Sequence, residues 1–303
     1  MSAAQAALTA AAPRSHRGTI FVEDGRVLQH TAAEAQQHIL RIAAPRTAQH
    51  AQPGSFVHLR CDSTLPMRRP LSIMRASAEA GWIDVLFKVI GAGTAALARK
   101  APGDTLGLLG PIGKGFSVHP ARPRILAIGG GVGIPPMVFL AESLLGDSRA
   151  AWKPLVLMGS EIPFPFRARP SRVLVPAAPA EAIACMPLLD EWGVPSRLAS
   201  GSGFAGCFNG FVTELAAHWL AALSDAERAE VEIFACGPTP MLAATAALAR
   251  RLSLPCQVSL EEFMACAVGG CAGCAVEVHT PSGPAMQRVC VDGPVFEAQS
   301  VFR

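Results

Sequence analysis

Residues 125–145 read ILAIGGGVGIPPMVFLAESLL. A short apolar run, a glycine turn and an apolar-rich stretch with helical spacing predict a strand, a tight loop and a helix. The alternation continues downstream. KPLVLMGS and RVLVPA are short apolar runs of buried-strand type, GFVTELAAHWLAALS is helical, EVEIFACGP reads as a strand and TPMLAATAALARRL as a helix. Strands alternating with helices predict an α/β domain over 118–255, a doubly wound parallel sheet covered on both faces. The proline-broken PFPFRARPSR (163–172) and the glycine-rich SGSGFAGCFNG (200–210) read as loops. The second lacks the Lys-Ser/Thr of a P-loop.

Working outward from that domain, the rhythm changes on both sides. From 17 to 117 the segments RGTIFVEDGRVLQH, QQHILRIAAP, GSFVHLRC, WIDVLFKVI and DTLGLLGPI are short and often alternate. Turn signals in APRT, AQPG and APGD separate them, which predicts a small antiparallel β-barrel. One short helix, AGTAALARKA (92–101), is inserted. Residues 1–16 are alanine-rich, with no basic region before an apolar core, and read as a flexible tail instead of a signal peptide. Residues 256–303 form a third, cysteine-rich module with little helical periodicity.

Composition narrows the function. Of 303 residues half are hydrophobic and 16% charged, enough apolar material for sizeable cores. The net charge of +3 offers no basic stripe for nucleic acid, so a small molecule or a protein is the expected partner. No uncharged apolar run reaches the ~18 residues of a membrane span. The nine cysteines are an odd count and five are scattered singly, unlike a secreted disulfide framework, so a reducing cytoplasm is expected. Cys61, Cys185, Cys207 and Cys256 read as small core residues.

The remaining cysteines carry chemistry. CAVGGCAGC (266–274) holds Cys266, Cys271 and Cys274, and Cys290 follows fifteen residues later. Structural zinc usually shows paired knuckles, and a redox role for Cys271 and Cys274 would leave Cys266 and Cys290 unexplained. C-x4-C-x2-C…C is the plant-type spacing for a [2Fe–2S] cluster held by four thiolates. Gly269, Gly270 and Gly273 let the chain wrap tightly with backbone N–H groups free to face sulfur.

A cluster that carries single electrons needs a donor or acceptor. MRRPLSIM (67–74) ends a barrel strand; Arg69 can neutralise a phosphate, Ser72 can bond a flavin or ribityl oxygen, and Pro70 keeps the backbone between them extended. IGAGTAAL opens the inserted helix, where Gly93 and Thr94 would face a pyrophosphate. IGGGVGIPPM (128–137) places Gly129, Gly131 and Gly133 between strand and helix, allowing a tight turn and close phosphate approach. It is not G-x-G-x-x-G. FACGPTPML (234–242) puts Cys236, Gly237 and Pro238 at a strand end.

On these residues the sequence resembles the ferredoxin–NADP reductase superfamily. The resemblance implies FAD bound by Arg69, Pro70, Leu71 and Ser72 with the glycine turn, and Leu86, Phe87 and Lys88 on a strand lying along the flavin. It also implies an NAD(H) site at the glycine loop, with Pro136 at the matching position, and Cys236-Gly237-Pro238 beside the nicotinamide. Glu161, beyond the next strand, would bond a ribose 2′-OH and favour NADH, while Arg167 and Arg169 close by leave NADPH open.

The order of barrel, NAD domain and four-cysteine module is narrower than the superfamily. From about residue 17 to the C-terminus it resembles the electron-transfer subunits of type B dihydroorotate dehydrogenases. RRPLSI, GAGT, GPIGKGF, GGGVGIPP, CGP, MACAVGGCAGC and RVCVDGPVF fall in family order. The stretch 163–207 has no clear counterpart. The resemblance implies a relay in pyrimidine biosynthesis: a separate catalytic subunit oxidises dihydroorotate at FMN, and electrons pass by the [2Fe–2S] cluster and FAD to NAD⁺. The assembly would be a heterotetramer with two of each subunit, and no side chain of this chain needs to act as a general base. Small subunits of NADH-dependent ferredoxin–NADP oxidoreductases and sulfide dehydrogenases share the architecture, with a larger multi-cluster flavoprotein as companion.

Other features carry less. The eight histidines form no H-x3-H or H-E-x-x-H set, and there is no G-x-S-x-G. His279, near the cysteines, is expected at the surface. The two carboxylates of EVEIF read as a solvated strand face. A zinc-stabilised binding scaffold is argued against by the retained flavin and nicotinamide motifs.

Overall fold

The computed structural model describes residues 18–303, so the expected tail over 1–16 lies outside the described residues. Six strands close into the antiparallel barrel: β1 (Phe21–Ala33), β2 (Gln37–Ala43), β3 (Phe56–Arg60), β4 (Arg69–Ser77), β5 (Trp82–Lys88) and β6 (Thr105–Ile112), in the order β1-β2-β5-β4-β3-β6. Closure leaves no free edge. Alternate positions point inward, so Leu40, Ile42, Leu59, Ile73, Ile83, Val85, Phe87 and Leu108 fill one dry core. Each fully buried side chain of this type contributes about 1.5–3 kcal/mol. Two short helices interrupt the meander. α2 (Ala92–Leu97) is the expected insertion, whereas α1 (Pro45–His50) forms where APRT suggested only a turn. Pro45 at its first position suits a helix start.

The second unit is a sheet of β7 (Arg124–Gly130), β8 (Lys153–Gly159), β9 and β10 being a separate two-residue pair (Arg169–Pro170, Ala184–Cys185), then β11 (Ser196–Ala199), β12 (Val231–Cys236) and β13 (Cys256–Ser259). Its order is β11-β8-β7-β12-β13, all parallel. Both faces are covered. Ile125 and Ala127 of β7 meet α3 (Ile134–Leu145), while Leu126 and Ile128 share a core with α5 (Val212–Ala221) and α7 (Thr239–Arg251). The short α4 (Pro187–Glu191) and α6 (Asp225–Ala229) complete the connections.

Two expectations need correction here. RVLVPA is no strand: Leu174 is 87% exposed, Pro176 ends the run, and the carbonyl of Val173 is taken by Arg197 Nη2. The edge strand is instead SRLA, β11. EVEIF has no solvated acidic face, because Glu232 is only 1% exposed and accepts from His119 Nδ1 at 2.9 Å.

The stretch 256–303 is divided between two units. β13 lies inside the sheet, and β16 (Val295–Glu297) returns to extend it as an antiparallel edge, followed by α8 (Ala298–Val301). Between them the cysteine loop and the hairpin of β14 (Ala275–Thr280) and β15 (Gly283–Arg288) protrude. Phe56 and Ile112 of the barrel belong to the same apolar cluster as Met264, Cys274 and Cys290, so the three parts share a core. The barrel is also tied to α3. Arg75 donates to Glu142 at 2.5 Å, with its guanidinium 4.9 Å from the Trp192 ring.

Candidate functional site

The flavin motif and the inserted helix meet. Ser72 pairs with Phe56 and Pro70 with His58 across β3 and β4, which sets Arg69 at the strand's start. A β-carbon at Gly93 would lie 2.7 Å from Arg69 Nε, so the guanidinium rests directly on the opening turn of α2. Arg69 Nη1 is held by the Met67 and Arg68 carbonyls at 2.9 and 3.1 Å. The Thr94 hydroxyl turns back onto Gly91 and Ile90, accepting their N–H groups at 3.3 and 3.0 Å. The turn is therefore rigid. A cation lying on a helix's first N–H groups suits a pyrophosphate.

On β5 the side chains separate. Leu86 packs with Met74 and α3, Phe87 points into the barrel core, and Lys88 is half-buried. Only backbone or Lys88 from this strand could meet a flavin.

The nicotinamide motifs also converge. β12 pairs with β7 so that Cys236 stands opposite Gly129. A β-carbon at Gly133 would lie 2.5 Å from the Gly237 nitrogen, and one at Gly130 would lie 3.1 Å from Pro238. Gly131 adopts φ +53, a conformation open to glycine. Pro136 is buried in the first turn of α3. The loop and Cys236-Gly237-Pro238 thus form one backbone-lined wall at the C-terminal ends of the strands, where open α/β sheets bind ligands.

Two residues escaped the motif reading, the first of them at this wall. Glu261, just past β13, faces Cys236; burial, then the Glu261 charge, pushes the thiol far up, so Cys236 stays neutral. Burial in turn raises the Glu261 carboxyl, although the residue as a whole is solvent-exposed. The only signal was an acidic pair in SLEEF directly after a strand. His58 is the second. It is 1% exposed on the outer face of β3, against the Arg68 and Met264 backbones, and neither ring nitrogen completes a hydrogen bond. Burial, then the Arg68 charge, lowers it to about 4.

At the far end of β8, Glu161 accepts from the Gly201 N–H at 3.4 Å, and its carbonyl takes the Ser202 hydroxyl at 2.8 Å. This carboxylate is thus fixed against the turn at 201–202 beyond β8.

The four cysteines fall into two pairs, and among the described residues no three potential ligands are drawn into one preformed metal site. Cys274 and Cys290 are buried with sulfurs 3.3 Å apart. Cys271 donates its N–H to Cys266 Sγ at 3.4 Å, and Gly273 donates to Cys271 Sγ at 3.4 Å. Two thiolates per iron is the arrangement of a [2Fe–2S] centre, and N–H donors to sulfur are what the glycines allow. Burial raises Cys266, but the N–H groups of Val268, Cys271 and Gly270 outweigh it and bring the thiol to about 7. Burial and the neighbouring Cys274 push Cys290 up to about 12. The donors therefore fit the cluster; Cys266 and Cys271 form the outer pair, and Cys266 is a readier thiolate than the buried Cys290. The four other sequence-assigned core cysteines are buried as expected, whereas His279 is half-buried beside Glu277 instead of at the surface.

Comparison with known proteins covers the same ground. Residues 261–302 match the iron–sulfur cluster binding domain of dihydroorotate dehydrogenase B. The chain is 31% identical over 285 residues to a dihydroorotate dehydrogenase B (NAD(+)) electron transfer subunit of Desulforamulus reducens, covering 92% of this chain and 98% of that one. The corresponding subunit of Bacillus caldolyticus is 36% identical over 257 residues, 82% of this chain and 86% of its own. Among solved structures, one of an NADH-dependent reduced ferredoxin–NADP oxidoreductase superposes with a TM-score of 0.72 at 25% identity, over 91% of this chain and 89% of that one. The ferredoxin reductase of carbazole 1,9a-dioxygenase shares the fold, with a TM-score of 0.59 at 20% identity over 78% of this chain and 67% of its own.

Proposed function

The chain belongs to the family of dihydroorotate dehydrogenase B electron transfer subunits, and from that premise we propose that it links a dihydroorotate-oxidising FMN subunit to NAD. The bound groups supply the redox chemistry, the cluster carrying single electrons and the FAD exchanging them for a hydride. This chain's residues hold and space those groups. Arg69 and the first turn of α2 take the FAD pyrophosphate, and Pro70, Leu71 and Ser72 run along the flavin with Lys88. Gly129, Gly131, Gly133 and Pro136 bring NAD against Cys236, Gly237 and Pro238. Glu161 favours an unphosphorylated ribose, and so NADH, because a 2′-phosphate there would meet a carboxylate. Cys266, Cys271, Cys274 and Cys290 are the cluster ligands.

The observation that carries this reading is the pairing of the cysteines on a module that shares its core with both the barrel and the sheet. Phe263, three residues before the first ligand, is 93% exposed, and Cys271 is exposed as well. A large bare aromatic on the segment leading into the cysteine loop suits a protein interface, here that of the catalytic subunit in a heterotetramer of two of each. None of the nine cysteines is in a disulfide, which suits a reducing cytoplasm, and no helix among the described residues is long and apolar enough to cross a membrane.

Anaerobic purification of the tagged chain from its own cells, with mass spectrometry of what accompanies it, tests the reading. Recovery of an FMN barrel protein of the dihydroorotate dehydrogenase type is the expected result. A larger multi-cluster flavoprotein would instead put the chain with the ferredoxin–NADP oxidoreductase small subunits that share its fold.

A further inference from the structure

The cysteine loop and the turn bearing the fourth cysteine are separate in sequence, yet one side chain joins them. Arg288, at the end of β15, donates Nη1 to the carbonyl of Gly269 at 2.9 Å. Gly269 lies between Cys266 and Cys271, and Arg288 stands two residues before Cys290. The rest of the fork is held by Asp292: Nε meets Oδ2 at 3.1 Å, and the Arg288 backbone N–H meets the same oxygen at 2.8 Å. The Asp292 N–H returns to the Arg288 carbonyl at 2.8 Å. The contact is tight on the loop side too. Gly269 has φ +77, and a β-carbon there would lie 3.1 Å from Arg288 Nη1 and 2.8 Å from Val291.

Two further charge relations bear on this tether. The guanidinium acts electrostatically on the Cys290 and Cys274 sulfurs, and Lys114, on the turn after β6, acts on Asp292 from the barrel side. The two thiolates of the buried pair therefore see a cation whose partner anion lies in the next turn. Adding an electron to a cluster adds negative charge, so a nearby cation favours the reduced form and a bare carboxylate disfavours it.

We propose that Arg288 and Asp292 form a positioning pair for the [2Fe–2S] cluster, Arg288 clamping the cysteine loop and the pair's polarity setting how readily the cluster accepts an electron. This rests on the cluster assignment above. The two residues have opposite effects. Without Arg288 the Asp292 carboxylate is left uncompensated beside the sulfurs, and the cluster becomes harder to reduce. Without the Asp292 charge the guanidinium is uncompensated, and the cluster becomes easier to reduce.

The test is an EPR-monitored reductive titration of the holoprotein, together with the rate of iron loss to a chelator. R288M is expected to lower the cluster midpoint potential and D292N to raise it. R288K, which keeps the charge and loses the fork, is expected to leave the potential close to wild type but to lose iron about 10-fold faster. Potentials that do not move, or that move the same way in R288M and D292N, overturn the proposal. If R288M sheds its cluster on purification, D292N decides: a raised potential supports the pair and an unchanged or lowered one overturns it. A wild-type protein with no [2Fe–2S] signal would overturn the cluster assignment itself, whereas a normal wild-type signal with unmoved variants overturns only the role of the pair.

Discussion

Gly133 of the glycine loop lies in backbone contact with Cys236, so closely that a β-carbon at 133 would overlap the Cys236 carbonyl group. Loop and strand end are far apart in sequence, and this contact makes them one surface. Gly133→Ala must therefore push Cys236-Gly237-Pro238 away from the loop. Overpacking of this kind costs about 1–3 kcal/mol. The expected outcome is a weaker NADH affinity with FAD content unchanged, read by NADH titration of the flavin absorbance. An unaltered affinity would mean that nicotinamide does not use this wall.

Arg69 rests on Gly93 at the opening of α2. Arg69→Ala removes charge-assisted hydrogen bonds worth about 1.5–3 kcal/mol each, so FAD should bind roughly 10- to 100-fold more weakly. Quenching of flavin fluorescence on titrating apoprotein measures this. Retention of full affinity would move the pyrophosphate elsewhere.

Cys271 is the exposed member of the outer pair. Cys271→Ser should abolish the cluster's visible and EPR signals and stop partner-dependent turnover, while NADH still reduces the FAD and ferricyanide accepts from it. The two activities separate because the proposed NAD wall and flavin strand do not include the cysteine loop. Persistence of cluster iron in the variant would remove Cys271 from the ligand set.

His58 is buried neutral, held down to about 4 by burial and then by Arg68. Its unfolded value is near 6.5. Between those two values the unfolded chain binds a proton that the folded one refuses, so stability rises with pH across this window. It is fully present above about 6.5 and lost as pH falls toward 4, by up to about 3 kcal/mol. Urea unfolding of wild type and His58→Gln at pH 7 and pH 5 isolates the effect. The variant should show the shallower loss; parallel losses would assign the acid sensitivity to other groups.

Much of this protein was legible because its signals are local. The spacing from Cys266 to Cys274, the glycines from Gly129 to Gly133 and the Arg69–Ser72 stretch each carry their chemistry within a few residues. The alternation of apolar runs likewise determined a barrel followed by a covered sheet, since periodicity reports which faces are buried. RVLVPA misled for the same reason: a local apolar run cannot say that prolines and Arg197 take its backbone out of a sheet.

What only the tertiary structure decided are the meetings between distant segments. Glu232 looked solvated until His119 and Gln257 closed over it. Glu261 faces Cys236 only because β13 pairs with β12, and β16 rejoins the sheet only because the cysteine module folds back on itself. His58 is buried by Met264, some two hundred residues later in the chain. Sequence alone determined which groups could bind flavin, nicotinamide and iron. How those groups face one another, and with what charge, was decided by packing, because burial and hydrogen bonding are properties of a residue's neighbours in space.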